Sequence, residues 1–149
     1  EGQVTATPLQ IAMVAAGIAN EGVVMNPRLV DTVIGNDLSV IRSYDDTQFG
    51  HATDATIADQ ITASMVASVS NGAAQGARID GVDVAGKTGT TENGNKPYTL
   101  WFTGFAPADD PEVAVAVLVE DGGGQGQSGS GDTIAAPIAK KVIEAVLGR

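Results

Sequence analysis

The sequence predicts an α+β domain in which an antiparallel sheet lies between layers of helices. Residues 99–106 and 112–120 are predicted strands, and the short connection of residues 107–111 makes them an antiparallel hairpin. The second strand alternates valine on one side with alanine and leucine on the other. Both of its faces are therefore apolar, and we expect both to be covered. Segments with helical spacing flank these strands and supply the covering layers.

The first helix has a complete start signal. Thr7 is typical of an N-cap, Pro8 of the first helical position, and Gln10 stands three residues after the cap. Residues 11–19 contain no polar side chain, which predicts a helix that is buried on all sides. After a turn, residues 29–34 are predicted to form a strand.

The second helix follows a polar segment, residues 37–54, which we expect to be irregular. The helix is predicted to begin near Asp54 and to reach about Ser70, where Asn71 and Gly72 indicate a left-handed cap. Its apolar stripe has members four residues apart: Ile57, Ile61, Met65 and Val69.

The third helix is predicted over residues 132–147 and is preceded by a glycine-rich segment, residues 121–131. The apolar stripe of this helix consists of Ile138, Val142, Ala145 and Val146. Residues 124–129 match the dinucleotide fingerprint G-x-G-x-x-G, but no acidic residue follows at the tip of a second parallel strand. A flexible surface loop is therefore the favoured interpretation.

Composition limits the possible functions. The 149 residues correspond to about one domain, and a net charge of −10 argues against binding to nucleic acid. There is no cysteine, and His51 is the only histidine, which excludes thiolate chemistry and clusters of histidine ligands. We expect no metal ion or other cofactor, and we interpret His51 as a surface loop residue rather than a base.

One segment satisfies two chemical motifs. Residues 81–88 read G-x-x-x-x-G-K-T, the phosphate-binding loop, whereas Lys87, Thr88 and Gly89 form the K-T-G motif of serine acyl-transfer enzymes. A phosphate loop must open a helix, but this one contains two β-branched residues and Asp83, and it is followed by glycine, asparagine and proline. K-T-G is favoured, although alone it could be a strand that carries a chance lysine.

Other segments match the surroundings of K-T-G in one family. Residues 2–12 and 18–22 resemble the segment that precedes K-T-G in bacterial penicillin-binding transpeptidases. Met65-Val66, Ala73-Ala74 and residues 84–90 also resemble this family, in the same order along the chain. Residues 101–107 and 113–117 resemble the two strands that follow the motif. The order and spacing agree over nearly the whole chain. The likeness is to class B (monofunctional) penicillin-binding D,D-transpeptidases of the actinobacterial A type.

The sequence departs from this family in one respect. The family's nucleophile lies in S-x-x-K and its second motif is usually S-x-N, but no serine here has lysine three residues later or asparagine two residues later. We therefore expect residues 1–149 to be the C-terminal part of a single transpeptidase domain with the β-lactamase/transpeptidase-like fold. The chain alone should be inactive. A β-lactamase is disfavoured because residues 2–22 resemble the transpeptidase form.

The resemblance assigns roles to the K-T-G strand. Lys87, Thr88 and Gly89 would belong to the catalytic site, with Lys87 as a fixed positive charge that supports proton relay. Thr88 and Thr90 would bind the substrate carboxylate, and the backbone N–H of Thr90 would be one oxyanion donor. Ordinary strand threonines are the alternative for both. Glu92 is interpreted as a carboxylate at the cleft rim.

The resemblance also implies partners and a location. These are the peptidoglycan stem peptide, β-lactams, the N-terminal part of the same domain and a membrane glycan polymerase. The protein would work at the extracytoplasmic face of the bacterial membrane, held by an N-terminal anchor outside these residues. Two alternatives stay open: a non-catalytic binding or scaffold module with the same fold, and, less favoured, a nucleotide-binding protein.

Overall fold

The structure is a computed structural model that describes residues 4–149, and its centre is a three-stranded antiparallel sheet with helices on both faces. Gly2 and Gln3, which open the segment resembling the transpeptidases, lie outside the described residues. The elements in chain order are α1 (Pro8–Ala19), β1 (Val23–Met25), β2 (Thr32–Ile34), β3 (Val40–Ser43), β4 (Gln48–His51), α2 (Ala55–Ser70), β5 (Ala85–Asn93), β6 (Lys96–Ala106), β7 (Val113–Val119) and α3 (Ala136–Val146). This architecture confirms the predicted fold class.

The main sheet has the order β5-β6-β7, and its second hairpin is the predicted one. Pairs run from Leu100 opposite Val119 to Ala106 opposite Val113. The strand predicted over residues 99–106 is longer in the structure, because β6 begins at Lys96 after a tight turn from β5. Helices α1 and α3 both contact β7, yet its side chains are only half-buried because β7 is a sheet edge.

Helix α1 starts as predicted but is not buried on all sides. The Thr7 hydroxyl accepts from the Gln10 backbone N–H at 3.2 Å, and the Gln10 side-chain oxygen accepts from the Thr7 N–H at 2.8 Å. The helix lies against the sheet, where the Ile11 carbonyl oxygen is 3.4 Å from the Thr103 hydroxyl, which donates to the Val115 carbonyl at 3.0 Å. Val14 is nevertheless 56% exposed, because the sheet and β1 cover only part of the helix within residues 4–149.

The segment between α1 and α2 differs from the prediction in two ways. The predicted strand over residues 29–34 is reduced to β2, because only Thr32–Ile34 pair with β3. Before it, Arg28 forms ion pairs with Asp31 at 2.8 Å and with Asp46 at 3.0 Å. The supposedly irregular residues 37–54 contain β3 and β4, which pair with β2 and β1. At the β2–β3 turn, hydrogen bonds from Ser39 lower the pKa of the Asp37 carboxyl.

Helix α2 has the predicted bounds, and Asp54 is its N-cap. The Asp54 carboxylate accepts from the Ile57 N–H at 2.9 Å, and Met65 and Val69 from the predicted stripe are buried. The prediction of a left-handed cap was wrong, because Asn71 has a φ of −140° and Gly72 does not have a positive φ. Gly72 instead permits close packing, since a Cβ there would lie 2.8 Å from the Ser68 Cα.

Helix α3 presents a different face to the core than the one predicted. The helical segment begins with one π-helical turn, Gly131–Ala135, which continues directly into the α-helix at Ala136, so the predicted start near residue 132 agrees with the structure. The buried face consists of Ala136, Ala139 and Ile143, whereas Ile138, Val142 and Val146 are 44%, 42% and 55% exposed. Two small alanines let the helix approach the buried ring of Phe102, which a row of larger side chains would prevent.

The glycine-rich segment forms successive tight turns rather than a nucleotide-binding turn. Asp121, Gly122, Gly123, Gly124 and Gly126 all have positive φ values. The segment follows β7, which is antiparallel to its neighbour, so the dinucleotide interpretation is excluded. Among residues 4–149, no helix has both the length and the apolar character needed to cross a bilayer.

Candidate active site

The K-T-G residues lie in the first half of β5, at one edge of the main sheet. Lys87 is opposite Thr103, Thr88 is opposite Phe102, and Gly89 is opposite Trp101. Strand β5 pairs with β6 on one side, and within the described part of the chain no strand pairs with its other side. The motif therefore lies on an open edge, where half of the backbone N–H and C=O groups point away from the sheet.

Two cavities meet at Lys87. The first, the strand groove, has a volume of about 500 Å³ and is lined by Val4, Thr5, Ala6, Ile11, Lys87, Thr88, Gly89, Thr91, Thr99, Trp101, Phe102 and Thr103. The second, the helix cavity, has a volume of about 380 Å³ and is lined by Ile57, Gln60, Ile61, Ser64, Met65, Ser68, Gly86 and Lys87. Lys87 is the residue common to both.

The charge at this point is opposite to that of the chain as a whole. The net charge is −10, yet Lys87 is the only ionisable side chain among the described residues that line either cavity. No carboxylate from these lining residues neutralises its ammonium group. The arrangement favours an anionic ligand next to Lys87, because an unopposed charge in a concave site attracts its counter-ion.

The side chains of the motif have defined partners. The Lys87 ammonium donates to the Thr88 carbonyl, and the Thr88 hydroxyl donates to the Ala73 carbonyl at 3.1 Å. A Cβ on Gly89 would lie 3.3 Å from the Trp101 Cβ, so glycine lets the tryptophan pack closely against the strand. Thr90 is exposed and lines neither cavity. By strand alternation it shares the face of Thr88.

Other predicted residues lie away from this site or at its border. His51 is exposed on β4, opposite Val23. Glu92 is exposed on β5 beyond the motif. The phosphate-loop interpretation is excluded, because Lys87 lies within a strand and not at the N-terminus of a helix.

Sequence reasoning missed the polar lining of the helix cavity. Gln60, Ser64 and Ser68 lie four residues apart on α2 and face the same cavity as Lys87. The Ser64 hydroxyl donates to the Gln60 carbonyl at 2.9 Å. These polar residues form a second stripe beside the apolar stripe of α2. Their spacing of four residues was a signal in the sequence that could have predicted a shared polar face.

A larger cavity lies elsewhere and contains none of the K-T-G residues. Its volume is about 730 Å³, and it lies near the ends of α2 and α3. Arg78 and Arg149 line it together with several carboxylates, and both arginines donate to backbone carbonyls, of Ser70 and Asp80 respectively. This cavity contains side chains of both charges, and its arginines already bind backbone carbonyls. It therefore has no preference for a ligand of one charge and is not the candidate site.

An antiparallel sheet lies between helices, and its open edge strand carries Lys-Thr-Gly, one of the motifs of serine acyl-transfer enzymes. The chain matches the penicillin-binding protein transpeptidase domain over residues 1–144. It belongs to that family.

Relatives in this family are similar over almost the whole chain. The chain is 47% identical to the peptidoglycan D,D-transpeptidase PbpA of Mycolicibacterium smegmatis over 97% of its own length. It is 31% identical to the peptidoglycan D,D-transpeptidase MrdA of Haemophilus influenzae over 100% of its length. The chain spans only 30% and 25% of these two curated relatives.

Solved structures show the same fold. A ceftriaxone acyl-enzyme complex of penicillin-binding protein A from Mycobacterium tuberculosis superposes with a TM-score of 0.92 at 42% identity, over 99% of this chain and 34% of that one. The D,D-transpeptidase domain of a peptidoglycan glycosyltransferase from Eggerthella lenta gives a TM-score of 0.86 at 39% identity, over 96% and 32% of the two chains.

Proposed function

We propose that residues 1–149 are the C-terminal part of one transpeptidase domain, whose complete protein cross-links peptidoglycan stem peptides through a serine acyl-enzyme. The observation that carries the proposal is the unopposed ammonium of Lys87 on the open edge of β5, where the two cavities meet. Membership of the transpeptidase family and the β-lactam acyl-enzyme of the M. tuberculosis relative support it.

The reaction requires an activated nucleophile, an oxyanion site and an anchor for the substrate's terminal carboxylate. A serine outside this chain attacks the carbonyl carbon of the D-Ala–D-Ala bond, and the terminal D-Ala leaves. An amine of a neighbouring stem peptide then attacks the acyl-enzyme and releases the serine. Lys87 attracts the substrate carboxylate, because it supplies the positive charge of both cavities. The same side chain supports proton transfer at the serine.

Thr88 and Thr90 donate their hydroxyl protons to the substrate carboxylate. They share one face of β5, and Thr90 is exposed there. The Thr88 hydroxyl reaches the carboxylate by rotating away from the Ala73 carbonyl, to which it donates in this structure. A charged acceptor makes the stronger hydrogen bond, which favours this exchange. Gly89 contributes by its lack of a side chain, since Trp101 packs against it.

The backbone N–H of Thr90 supplies one oxyanion donor. The Lys87 ammonium reaches the Thr88 carbonyl, which supports the view that this carbonyl points to the open side of β5. In an antiparallel strand the N–H and C=O of one residue point the same way, and residues two apart repeat the direction. The N–H of Thr90 then points to the same open side, where an extended substrate adds as a further strand.

The proposal includes partners and a location. The rest of the same domain supplies the serine and the second polar motif, and stem peptides and β-lactams occupy the strand groove. A membrane glycan polymerase is the proposed partner in wall synthesis. We place the complete protein at the extracytoplasmic face of the bacterial membrane, held by an N-terminal anchor, because the stem-peptide substrate lies there.

Fluorescent penicillin tests the proposed function. The complete protein should form a covalent adduct that withstands denaturing electrophoresis and is abolished by prior incubation with unlabelled penicillin G. Residues 1–149 alone should not be labelled, because none of their serines has the S-x-x-K context. An unlabelled complete protein would favour the non-catalytic scaffold, and an adduct on the isolated chain would contradict the assignment of the serine to another segment.

A further inference from the structure

The π-helical turn that leads into α3 begins directly on the K-T-G strand, at Gly131. A Cβ on Gly131 would lie 2.4 Å from the Trp101 carbonyl oxygen and 2.9 Å from the Gly89 carbonyl oxygen. The same Cβ would lie 3.1 Å from the Thr88 Cβ, which is closer than carbon atoms normally pack. Gly131 does not have a positive φ, so the close approach, and not the backbone conformation, requires glycine here.

The start of this turn is also held from its other side. The Asp132 carboxylate accepts from the Gly76 N–H at 2.7 Å, and a Cβ on Gly76 would lie only 2.2 Å from the Asp132 carbonyl oxygen. Ala135, at the end of the turn, is fully buried. The turn therefore has little room to move away from β5, and a side chain at position 131 would press against Thr88.

The Thr88 side chain is turned away from Gly131 in this structure. Its hydroxyl donates to the Ala73 carbonyl at 3.1 Å. The Thr88 Cβ is the atom of this side chain nearest to the position of a Cβ on Gly131, so neither the hydroxyl nor the γ-methyl group points at residue 131. Of the three staggered positions around the Thr88 Cβ, the one that carries only hydrogen faces Gly131.

Binding of the substrate carboxylate requires another rotamer of Thr88. In the proposed function the hydroxyl leaves the Ala73 carbonyl, which means a rotation of about 120° about the Cα–Cβ bond. Threonine carries two heavy atoms on its Cβ, so either alternative rotamer turns one of them towards residue 131. The missing side chain of Gly131 leaves room for that atom, whereas a methyl group there would hold Thr88 in the rotamer that binds Ala73.

We propose that Gly131 is a positioning residue that leaves the Thr88 side chain free to rotate, so that its hydroxyl passes from the Ala73 carbonyl to the substrate carboxylate. The inference rests on the proposed function, because that function assigns Thr88 to the carboxylate. Gly131 touches no reacting atom in this scheme and acts through the Thr88 rotamer. A side chain at position 131 would deprive the substrate of one hydrogen bond to a charged acceptor, which is a strong bond.

Acylation kinetics of the complete protein with penicillin G and with its methyl ester test this inference. Gly131→Ala should lower the second-order rate constant for penicillin G by about tenfold, the loss expected for one hydrogen bond to a charged group. The rate constant for the methyl ester should change much less, because the ester has no carboxylate for Thr88 to bind.

Gly50→Ala is the matched control for this substitution. A Cβ on Gly50 would have no atom of the described residues within 4 Å, apart from its chain neighbours, and the φ of Gly50 is not positive. Gly50 also lines neither the strand groove nor the helix cavity. This variant should be acylated as fast as the wild type by both compounds.

A second substitution shows whether the effect passes through the Thr88 rotamer. Serine lacks the γ-methyl group, so in Thr88→Ser the hydroxyl can leave the Ala73 carbonyl without turning a heavy atom towards residue 131. The loss caused by Gly131→Ala should therefore be smaller in the Thr88→Ser background than in the wild-type background. Equal losses in the two backgrounds, or equal losses with penicillin G and its methyl ester, would show a merely structural effect and overturn the inference.

Crystal structures of the wild-type complete protein before and after acylation by penicillin G test the inference without any variant. The Thr88 hydroxyl should bind the Ala73 carbonyl before acylation and the β-lactam carboxylate after it, with a change of about 120° in χ1. The same rotamer in both structures would overturn the inference even if Gly131→Ala does not fold. A wild-type protein that is acylated no faster than Gly131→Ala overturns this inference alone, whereas one that is not acylated at all also refutes the proposed function.

Discussion

Replacing Lys87 with alanine should slow β-lactam acylation of the complete protein by about 10²–10³-fold, equivalent to about 2.7–4 kcal/mol of transition-state stabilisation. Lys87 is the only ionisable side chain among the described residues lining the two cavities, so no neighbouring cation there can substitute for it. The Lys87 side chain is exposed and does not pack in the hydrophobic core, so the Lys87→Ala variant should keep its fold. Stopped-flow or quenched-flow acylation with a chromogenic β-lactam measures the effect.

Lys96→Ala is the matched control for this experiment. Lys96 lies on the same hairpin and its removal changes the net charge equally, but it lines neither cavity. Its acylation rate should stay close to that of the wild type. Lys87→Arg should recover only part of the rate, because a planar guanidinium does not reproduce a compact ammonium. An unchanged rate in Lys87→Ala would show that K-T-G is a chance match.

Replacing Ile143 with alanine should lower the free energy of unfolding by about 2–5 kcal/mol. Ile143 is fully buried and belongs to the core cluster between α3 and the main sheet, together with Phe102 and Ala139. The substitution removes three carbons from a closely packed site and leaves a cavity that the neighbouring alanines cannot fill. Denaturant unfolding of the complete protein, followed by circular dichroism, gives the change.

Ile138→Ala on the same helix provides the comparison. Ile138 is 44% exposed, and alanine has the higher helix propensity, so the loss should stay below about 1 kcal/mol. The pair decides which face of α3 enters the core. If Ile138→Ala costs more than Ile143→Ala, the stripe predicted from the sequence is correct and the packing described above is wrong.

Local signals predicted much of this fold. The capping box of Thr7 and Gln10 involves residues within one helical turn, so the sequence contains both partners of each bond. The K-T-G strand was predicted for the same reason, since β-branched residues favour extended backbone before and after Lys87.

Long-range packing explains what could not be predicted. Helix α3 has two apolar faces, and its orientation depends on how closely Ala136 and Ala139 approach the sheet, which spacing alone does not reveal. Strands β3 and β4 are short and lie in a mainly polar segment, and they form because β2 and β1 pair with them. Gln127 bonds to residues more than thirty positions away, so no local pattern indicates its contact with the β5–β6 turn.

A crystal structure of the complete protein acylated by penicillin G tests the central claim most directly. The account predicts that the β-lactam carboxylate lies within hydrogen-bond distance, about 2.7–3.2 Å, of the Thr88 and Thr90 hydroxyls. It also predicts that the acyl carbonyl oxygen accepts from the Thr90 backbone N–H, with the Lys87 ammonium in the same cleft. A penicilloyl group whose carboxylate and acyl oxygen both lie away from β5 would contradict the assignment of this strand to the active site.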